Sequence, residues 1–284
     1  MNRSLFSDLY YKVFQSGNPL YLIIGINVLV FLVIQLVAVA EFLFSGSTAS
    51  SQWLMLQLSM PAYLPALPYK FWTIITYMFG HDGLFHILFN MLWLYWLGRI
   101  FLDFLNKRQF FFTYLAGGLA GAALFILAYN VFPVFQSSLP IAVLIGASAS
   151  VMAIIAATAT LLPDYTIRLL LIGGVRLKYL ALVYFVLDLI GIAGSNPGGS
   201  IAHVGGAVLG FLYIKQLQNG QDWSKLFRKK RKLTIVQKGN PNVRTSKLPD
   251  QEIIDEILDK ISRSGYDSLS SKEKEQLFKA SNKE

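Results

Sequence analysis

Cysteine is absent from this chain of 284 residues, and charged residues make up only 14% of it. The absence of cysteine excludes disulfides, a thiolate nucleophile, cysteine-ligated zinc and iron–sulfur clusters. The chain has three histidines and no H-E-x-x-H pair, so a zinc metalloprotease lacks its ligands, and we expect neither a metal nor a cofactor. Soluble proteins carry about a quarter charged residues. Scarce charge, together with 54% hydrophobic residues, therefore predicts a membrane protein.

The charges that are present are unevenly distributed along the chain. The formal net charge is +9, and most of the basic excess lies beside hydrophobic runs or after residue 215. Basic residues that flank apolar spans set the orientation of a membrane protein. We therefore expect the lipid bilayer as a partner and do not expect nucleic acid.

Six apolar runs predict an all-α membrane protein, a bundle of six transmembrane helices. They lie at about 20–40, 83–102, 110–132, 146–162, 178–194 and 199–216. About 20 apolar residues cross the hydrocarbon core as a helix, and the first run is longer than the apolar part of a signal peptide, so we expect a retained anchor. Segment 41–72 is rich in serine, proline and aromatic residues, which predicts a long loop with aromatic side chains at the bilayer interface.

Basic residues also separate the connecting segments into two sets. One side of the membrane receives Lys70 alone, and the other side receives Arg3, Lys12, Arg99, Lys107, Arg108, Arg168, Arg176, Lys178 and Lys215. Connecting segments on the cytosolic side carry an excess of lysine and arginine. We therefore expect both termini in the cytosol and the protein in a cytoplasmic or inner membrane.

Four regions follow from this pattern. Residues 1–18 form a cytosolic N-terminal segment, and residues 19–216 form the transmembrane domain. Residues 217–247 are a basic juxtamembrane linker that suits anionic lipid headgroups or the fixing of topology. Residues 248–284 contain apolar side chains at helical spacing, which predicts a small helical C-terminal extension.

Polar residues inside the apolar runs are the candidate functional groups, because such groups are costly at membrane depth. His86 and Asn90 lie one helical turn apart and therefore share a helix face, from which both could donate hydrogen bonds to an oxyanion. The alternative is hydrogen bonding between helices. Ser148 follows Gly146 at the start of an apolar run, where unpaired helix N-terminal amides would stabilise negative charge.

His203 can supply the base that a serine nucleophile requires. It lies among small residues, and Ala202, Gly206 and Gly210 recur at every fourth position. Ala149, Ala153 and Ala157 recur in the same way after Ser148, and such stripes permit very close helix packing. The two helices are therefore expected to bring Ser148 and His203 within hydrogen-bond reach, which indicates peptide-bond hydrolysis within the bilayer.

These motifs, in this order, resemble those of the rhomboid intramembrane serine proteases of the bacterial six-span type. The matching segments are P-Y-K-F-W-T-I-I-T-Y-M-F-G-H-D-G at 68–83, H-I-L-F-N-M at 86–91, G-A-S-A at 146–149 and A-H-V-G-G at 202–206. The resemblance implies that Ser148 is the nucleophile and that His203 is the general base and then the general acid. It also implies an oxyanion hole of His86, Asn90 and the Ser148 backbone amide, supported by Gly146, Met152, Ala202 and Gly206.

Two residues depart from the family pattern. Ala149 stands where the family usually has glycine, and its methyl group either widens the gap between Ser148 and His203 or is accommodated. Met152 stands where an aromatic residue often stacks on the base, and its sulfur can still contact a ring. Asp188 is the one carboxylate deep in an apolar run; a structural hydrogen bond is favoured for it over a catalytic role.

The sequence as a whole predicts a serine endopeptidase that cleaves single-span membrane proteins in or near the outer leaflet. Its active site is expected to open to water beneath segment 41–72. A non-catalytic rhomboid-like protein that binds transmembrane helices is the alternative. A small transporter is disfavoured because corresponding broken helices in two halves are not visible, and an aspartyl protease would need a second intramembrane acid.

Overall fold

The protein is predominantly helical. The computed structural model describes residues 4–169, 173–226 and 251–281. The α-helices of these residues are α1 Leu5–Tyr10, α2 Pro19–Ser45, α3 Ala49–Leu58, α4 Thr73–Thr76, α5 Leu84–Phe104, α6 Lys107–Val131, α7 Ser148–Leu161, α8 Leu177–Gly191, α9 Pro197–Gln218, α10 Gln251–Ser264 and α11 Ser271–Ser281. The chain divides into two units, Met1–Arg228 and Lys229–Glu284.

Four helices of the described residues, α2, α5, α6 and α9, are long and apolar enough to cross a membrane. They make the chain a multi-pass membrane protein. The remaining two expected spans are shorter helices, because α7 has 14 residues and α8 has 15. At a rise of about 1.5 Å per residue, α7 is about 21 Å long and does not reach across about 30 Å of hydrocarbon.

Helix α7 occupies the centre of the bundle and packs against α5, α6, α8 and α9. Nearly all of its side chains are buried, and small residues dominate them. Added β-carbons at Gly117 of α6 and Gly210 of α9 would overlap Ala153 of α7. Glycine therefore allows α6 and α9 to approach α7 from two sides at backbone distance.

Two short antiparallel sheets complete the first unit. Strand β1, Met60–Pro61, pairs with β2, Val143–Leu144, and β3, Thr166–Leu169, pairs with β4, Gly173–Arg176. The first sheet joins the segment after α3 to the segment just before α7. Non-helical backbone at membrane depth is tolerated where protein buries it, and Leu144 is buried here.

Segment 41–72 contains more regular structure than a loop. Helix α2 continues to Ser45, where Gly46 adopts a positive φ of 66°, and α3 follows after three residues. The Glu41 carboxylate accepts hydrogen bonds from the backbone amides of Ser50 and Ser51 at the start of α3. These local hydrogen bonds order a region whose composition alone predicts an irregular connection.

The second unit is a helical hairpin. Helix α10 ends before Gly265, which has a φ of 78°, and Ser270 caps α11. The Glu273 carboxylate accepts a hydrogen bond from the Ser270 backbone amide at 2.7 Å, and it also pairs with Lys260 of α10 at 2.9 Å. The basic cluster Arg228–Lys232 of the expected juxtamembrane linker lies outside the described residues.

Candidate active site

Ser148 is the first residue of α7. The chain reaches it through Gly146, whose φ of 123° is rarely adopted by residues with a side chain. The Gly146 amide donates a 2.9 Å hydrogen bond to the carbonyl of Tyr77, and pairing of Leu144 with Met60 holds the residues before it. A strand, a glycine turn and a helix start therefore fix the position of the serine.

The first turn of α7 can stabilise negative charge. Its N-cap residue is Ala147, which has no side chain able to accept a hydrogen bond from the first amides. The first N–H groups of a helix have no partner within the helix, and the helix dipole is positive at this end. The amide of Ser148 is therefore suited to bind an anion formed beside its own Oγ.

His203 lies on α9, and its Nδ1 lies 2.8 Å from Oδ1 of Asp188 on α8. The side chains of His203 and Asp188 are only 24% and 14% exposed. A carboxylate accepts the Nδ1–H of a neutral imidazole, which leaves the lone pair on Nε2. The His203 ring is thus held in the tautomer that can remove a proton from a serine hydroxyl.

The other oxygen of Asp188, Oδ2, is buried and has no hydrogen-bond partner within the described residues. A carboxylate oxygen without a partner is costly in an apolar environment. A purely structural hydrogen-bonding role therefore does not account for the burial of this second oxygen of Asp188.

Helices α7, α6 and α9 meet at one point next to both of these residues. A β-carbon added to Gly121 of α6 would lie 2.6 Å from the Ala149 methyl and 2.6 Å from the Ala202 carbonyl oxygen. Ala149 follows Ser148 in the chain, and Ala202 precedes His203. An added β-carbon at Gly206 would overlap the carbonyl of Ala149. The serine and the histidine therefore lie next to positions where the helices pack at backbone distance.

Within the described residues, no hydrogen bond joins Ser148 Oγ to His203. Catalytic hydrogen bonds are often long in the absence of substrate and shorten in the complex. The structure thus brings α7 and α9 together, and Asp188 holds the His203 ring at Nδ1, the ring nitrogen that is not needed as the base.

His86 and Asn90 lie on one face of α5, and the His86 ring reaches the same turn as Ser148. A β-carbon added to Gly146 would lie 2.8 Å from Nε2 of His86 and 3.5 Å from Oγ of Ser148. The Asn90 side-chain amide donates a 2.9 Å hydrogen bond to the His86 backbone carbonyl. One amide hydrogen of Asn90 remains, and the Nε2 side of the His86 ring faces the space beside Gly146.

A second carboxylate contacts the ring of His86. The Nδ1 atom of His86 lies 2.5 Å from Oδ1 of Asp82, an exposed residue in the segment before α5. The ring of His81 packs edge-on against the His86 ring with 5.0 Å between centroids. His81 is fully buried, and burial and the neighbouring His86 lower its pKa to about 3.

The two departures from the family pattern have different surroundings. The Ala149 methyl is buried and faces Gly121 of α6, at the point where α6, α7 and α9 meet. Met152 is buried one turn after Ser148 and borders an apolar cavity of about 700 Å³ between α7, α8 and α9. Contact of Met152 with the His203 ring stays a prediction. Among the described residues, no group of three histidine, aspartate or glutamate side chains is arranged to hold a metal.

Both contacts between a histidine and a carboxylate were missed in the sequence. Asp82 precedes His86 by four residues, a spacing that places side chains together on a helix. Asp82 lies just before α5, but this spacing was a signal that the sequence offered. Asp188 and His203 are on different helices, and only the packing of α8 against α9 reveals their contact. The rarity of a carboxylate in an apolar run was the one available signal.

Comparison with known families identifies two domains in the chain. The model of the Rhomboid domain matches residues 68–218, which begin just before α4 and end with α9. A second model, described as a family of unknown function (DUF6576), matches residues 242–283, which include α10 and α11. The Rhomboid domain covers more than half of the chain, and the chain therefore belongs to the rhomboid family.

Proposed function

We propose that this protein is an intramembrane serine endopeptidase in which Ser148 is the nucleophile and His203 the general base. One observation carries the proposal: Asp188 holds Nδ1 of the His203 ring, and His203 lies on α9, whose Gly206 packs at backbone distance against Ala149 at the start of α7. Membership of the rhomboid family, whose members are generally intramembrane serine proteases, supports the same chemistry.

Acylation would begin when Ser148 Oγ attacks the carbonyl carbon of the substrate peptide bond. His203 Nε2 accepts the hydroxyl proton as the new carbon–oxygen bond forms. Asp188 would act as a positioning residue, because its carboxylate stabilises the imidazolium that results. The imidazolium then returns the proton to the leaving amine as the carbon–nitrogen bond breaks.

The negative charge on the tetrahedral intermediate would be bound by three donors. These are the Ser148 backbone amide at the start of α7, the side-chain amide of Asn90 and the His86 ring. Donors that are already oriented stabilise the transition state without reorganisation, and loss of one donor typically lowers kcat by about 10²- to 10³-fold. Gly146 leaves the space between His86 and Ser148 open for the oxyanion.

Hydrolysis of the acyl-enzyme requires water at Ser148. A water molecule gives its proton to His203 Nε2 and attacks the ester carbon, and the proton then returns to Ser148 Oγ as the acyl group leaves. In the proposed six-span arrangement, α7 and α8 are the two short spans. Because α7 is too short to cross the hydrocarbon core, Ser148 at its start would lie below one membrane surface. The sheet of β1 and β2 lies next to this position and would cover it in part.

The expected substrate is a membrane protein with a single transmembrane helix. With both termini in the cytosol, as the distribution of lysine and arginine indicates, the start of α7 lies in the outer half of a cytoplasmic or inner membrane. A regular helix engages its own carbonyls, so the substrate must unwind near the cleaved bond.

The test is cleavage of a tagged single-span substrate by the purified full chain in lipid vesicles, followed by mass spectrometry of the fragments. Ser148→Ala and His203→Ala are expected to abolish cleavage. Ser150→Ala is the matched control, since it removes a serine from the same turn of α7 and should retain activity. A folded wild type without Ser148-dependent cleavage of any of a panel of such substrates would instead favour a non-catalytic protein that binds transmembrane helices.

A further inference from the structure

The contacts of His86 and His203 have the same form but opposite chemical consequences. In both rings Nδ1 faces a carboxylate, at 2.5 Å for Asp82 and 2.8 Å for Asp188. An ionised carboxylate only accepts hydrogen bonds, so Nδ1 must carry a proton in each ring. A neutral imidazole has one N–H group, so when Nδ1 carries this proton, Nε2 carries a lone pair and can only accept a hydrogen bond. This suits a general base such as His203, but it prevents His86 from donating through Nε2.

His86 presents its Nε2 side to the place where the oxyanion would form. An added β-carbon at Gly146 would touch Cε1 and Nε2 of His86, each at 2.8 Å, and Ser148 Oγ borders the same space. A lone pair in that position would repel an oxyanion. Donation from Nε2 while Asp82 occupies Nδ1 requires a ring that carries protons on both nitrogens.

We propose that Asp82 is a positioning residue that holds His86 as an imidazolium, so that the oxyanion is bound by a cationic donor. This inference rests on the proposed protease function, which it deepens by assigning a protonation state to one residue of the oxyanion hole. Hydrogen bonds from a charged donor are roughly twice as strong as those between neutral groups. A cationic His86 would therefore stabilise the transition state, in which negative charge develops on the oxyanion, more than the bound substrate.

The groups around His86 are consistent with this assignment. Asp82 and His81 approach it from the segment before α5, and the other titratable groups of the site are His203 on α9 and Asp188 on α8. Burial and the neighbouring His86 lower the pKa of His81 to about 3, so His81 is neutral near pH 7 and does not compete as a second cation. Asp82 is therefore the charged partner nearest to the His86 ring.

The direct experiment is nuclear magnetic resonance of the detergent-solubilised full chain with ¹⁵N-labelled histidine. The chain has only three histidines, so single substitutions assign their signals. The expected result is that both nitrogens of His86 give imidazolium shifts at neutral pH in the wild type and lose them in Asp82→Asn. Neutral His86 at neutral pH in the folded wild type would overturn the proposal.

Kinetics provide the second experiment, with Asp103→Asn near the other end of α5 as the matched control. Asp82→Asn is expected to lower kcat by about 10- to 100-fold with little change in KM. The proposal expects wild-type activity to fall at alkaline pH as His86 loses its second proton. In Asp82→Asn the introduced amide can donate to Nδ1 and leave a neutral Nε2–H, so the remaining activity should not show this fall. Wild-type kcat and an unchanged pH profile in a folded Asp82→Asn variant would contradict the proposal.

The two proposals fail in distinguishable ways. If the wild type shows no Ser148-dependent cleavage, the protease function fails, while the resonance experiment still reports whether Asp82 holds His86 as a cation. If the wild type cleaves substrate and His86 is neutral, only the role of Asp82 is lost.

Discussion

Asp188→Asn removes the negative charge that faces His203 while it keeps the size of the side chain. The hydrogen bond it alters is 2.8 Å long, and both side chains are largely buried, so solvent screens the interaction little. A hydrogen bond to a charged group contributes about 1.5–3 kcal/mol. Since about 1.4 kcal/mol corresponds to a factor of ten in rate, loss of this stabilisation in the transition state predicts a decrease in kcat of about 10- to 150-fold.

The amide introduced by Asp188→Asn can cause a larger loss. Its NH₂ group can donate to Nδ1 of His203, which moves the ring proton to Nε2 and prevents removal of the Ser148 proton. The same reversal of tautomer in a serine protease triad lowers kcat by about 10⁴-fold. We therefore expect a decrease between about 10- and 10⁴-fold in kcat, with KM changed by less than about threefold because substrate binding is not altered.

The assay is steady-state cleavage of a single-span substrate in detergent, with thermal unfolding measured on the same samples. Asp164→Asn is the matched control, because Asp164 contacts the start of α8 through Lys178 at 2.7 Å but lies in a loop before β3. It should leave kcat unchanged. If folded Asp188→Asn protein retains wild-type kcat, then Asp188 does not orient His203 and the reasoning is refuted.

Three further predictions concern packing and pH. Gly206→Ala places a methyl group against the carbonyl of Ala149, so it should lower stability by about 1–3 kcal/mol and reduce cleavage; normal Tm and activity would contradict the close approach of the helices. Ala149→Gly removes a methyl that faces Gly121 of α6 and is accommodated because glycine stands opposite it, so kcat should stay within about threefold while stability falls by about 0.5–1 kcal/mol; a large gain in kcat would show that the methyl obstructs the site. Burial disfavours ionisation of Asp222, but hydrogen bonds and the charge of Arg108 outweigh it and lower its pKa. Its stabilisation is therefore complete above the usual Asp pKa of about 4 and is lost as pH falls through the folded value, so Tm measured from pH 7 to pH 3 should fall less steeply in Asp222→Asn than in the wild type.

The family and the membrane location could be predicted from the sequence because each rests on local patterns. The apolar runs are visible in composition, and His86, Asn90, Ser148 and His203 lie in short segments inside the range that the Rhomboid domain matches. The start of α7 follows from a glycine and a short polar residue before an apolar run. These signals require no knowledge of which helices touch.

Contacts between distant elements could not be predicted in the same way. The pairing of Asp188 with His203 depends on how α8 lies against α9, and helical spacing fixes the face of a residue only within its own helix. The direction of the Ala149 methyl depends on the position of α6. Pairing of β1 with β2 joins residues more than eighty positions apart, and two-residue strands have no periodicity to detect. The six-span count remains a proposal, because α7 and α8 are shorter than the runs that predicted them.

The central claim is that His203 activates Ser148, and the most direct test is labelling of the folded, detergent-solubilised protein with a fluorescent fluorophosphonate. The wild type should be labelled, with mass spectrometry placing the adduct on Ser148. Labelling should be lost in Ser148→Ala and His203→Ala and retained in Ser150→Ala. Absence of labelling in the folded wild type, or labelling that persists in Ser148→Ala, would contradict the claim.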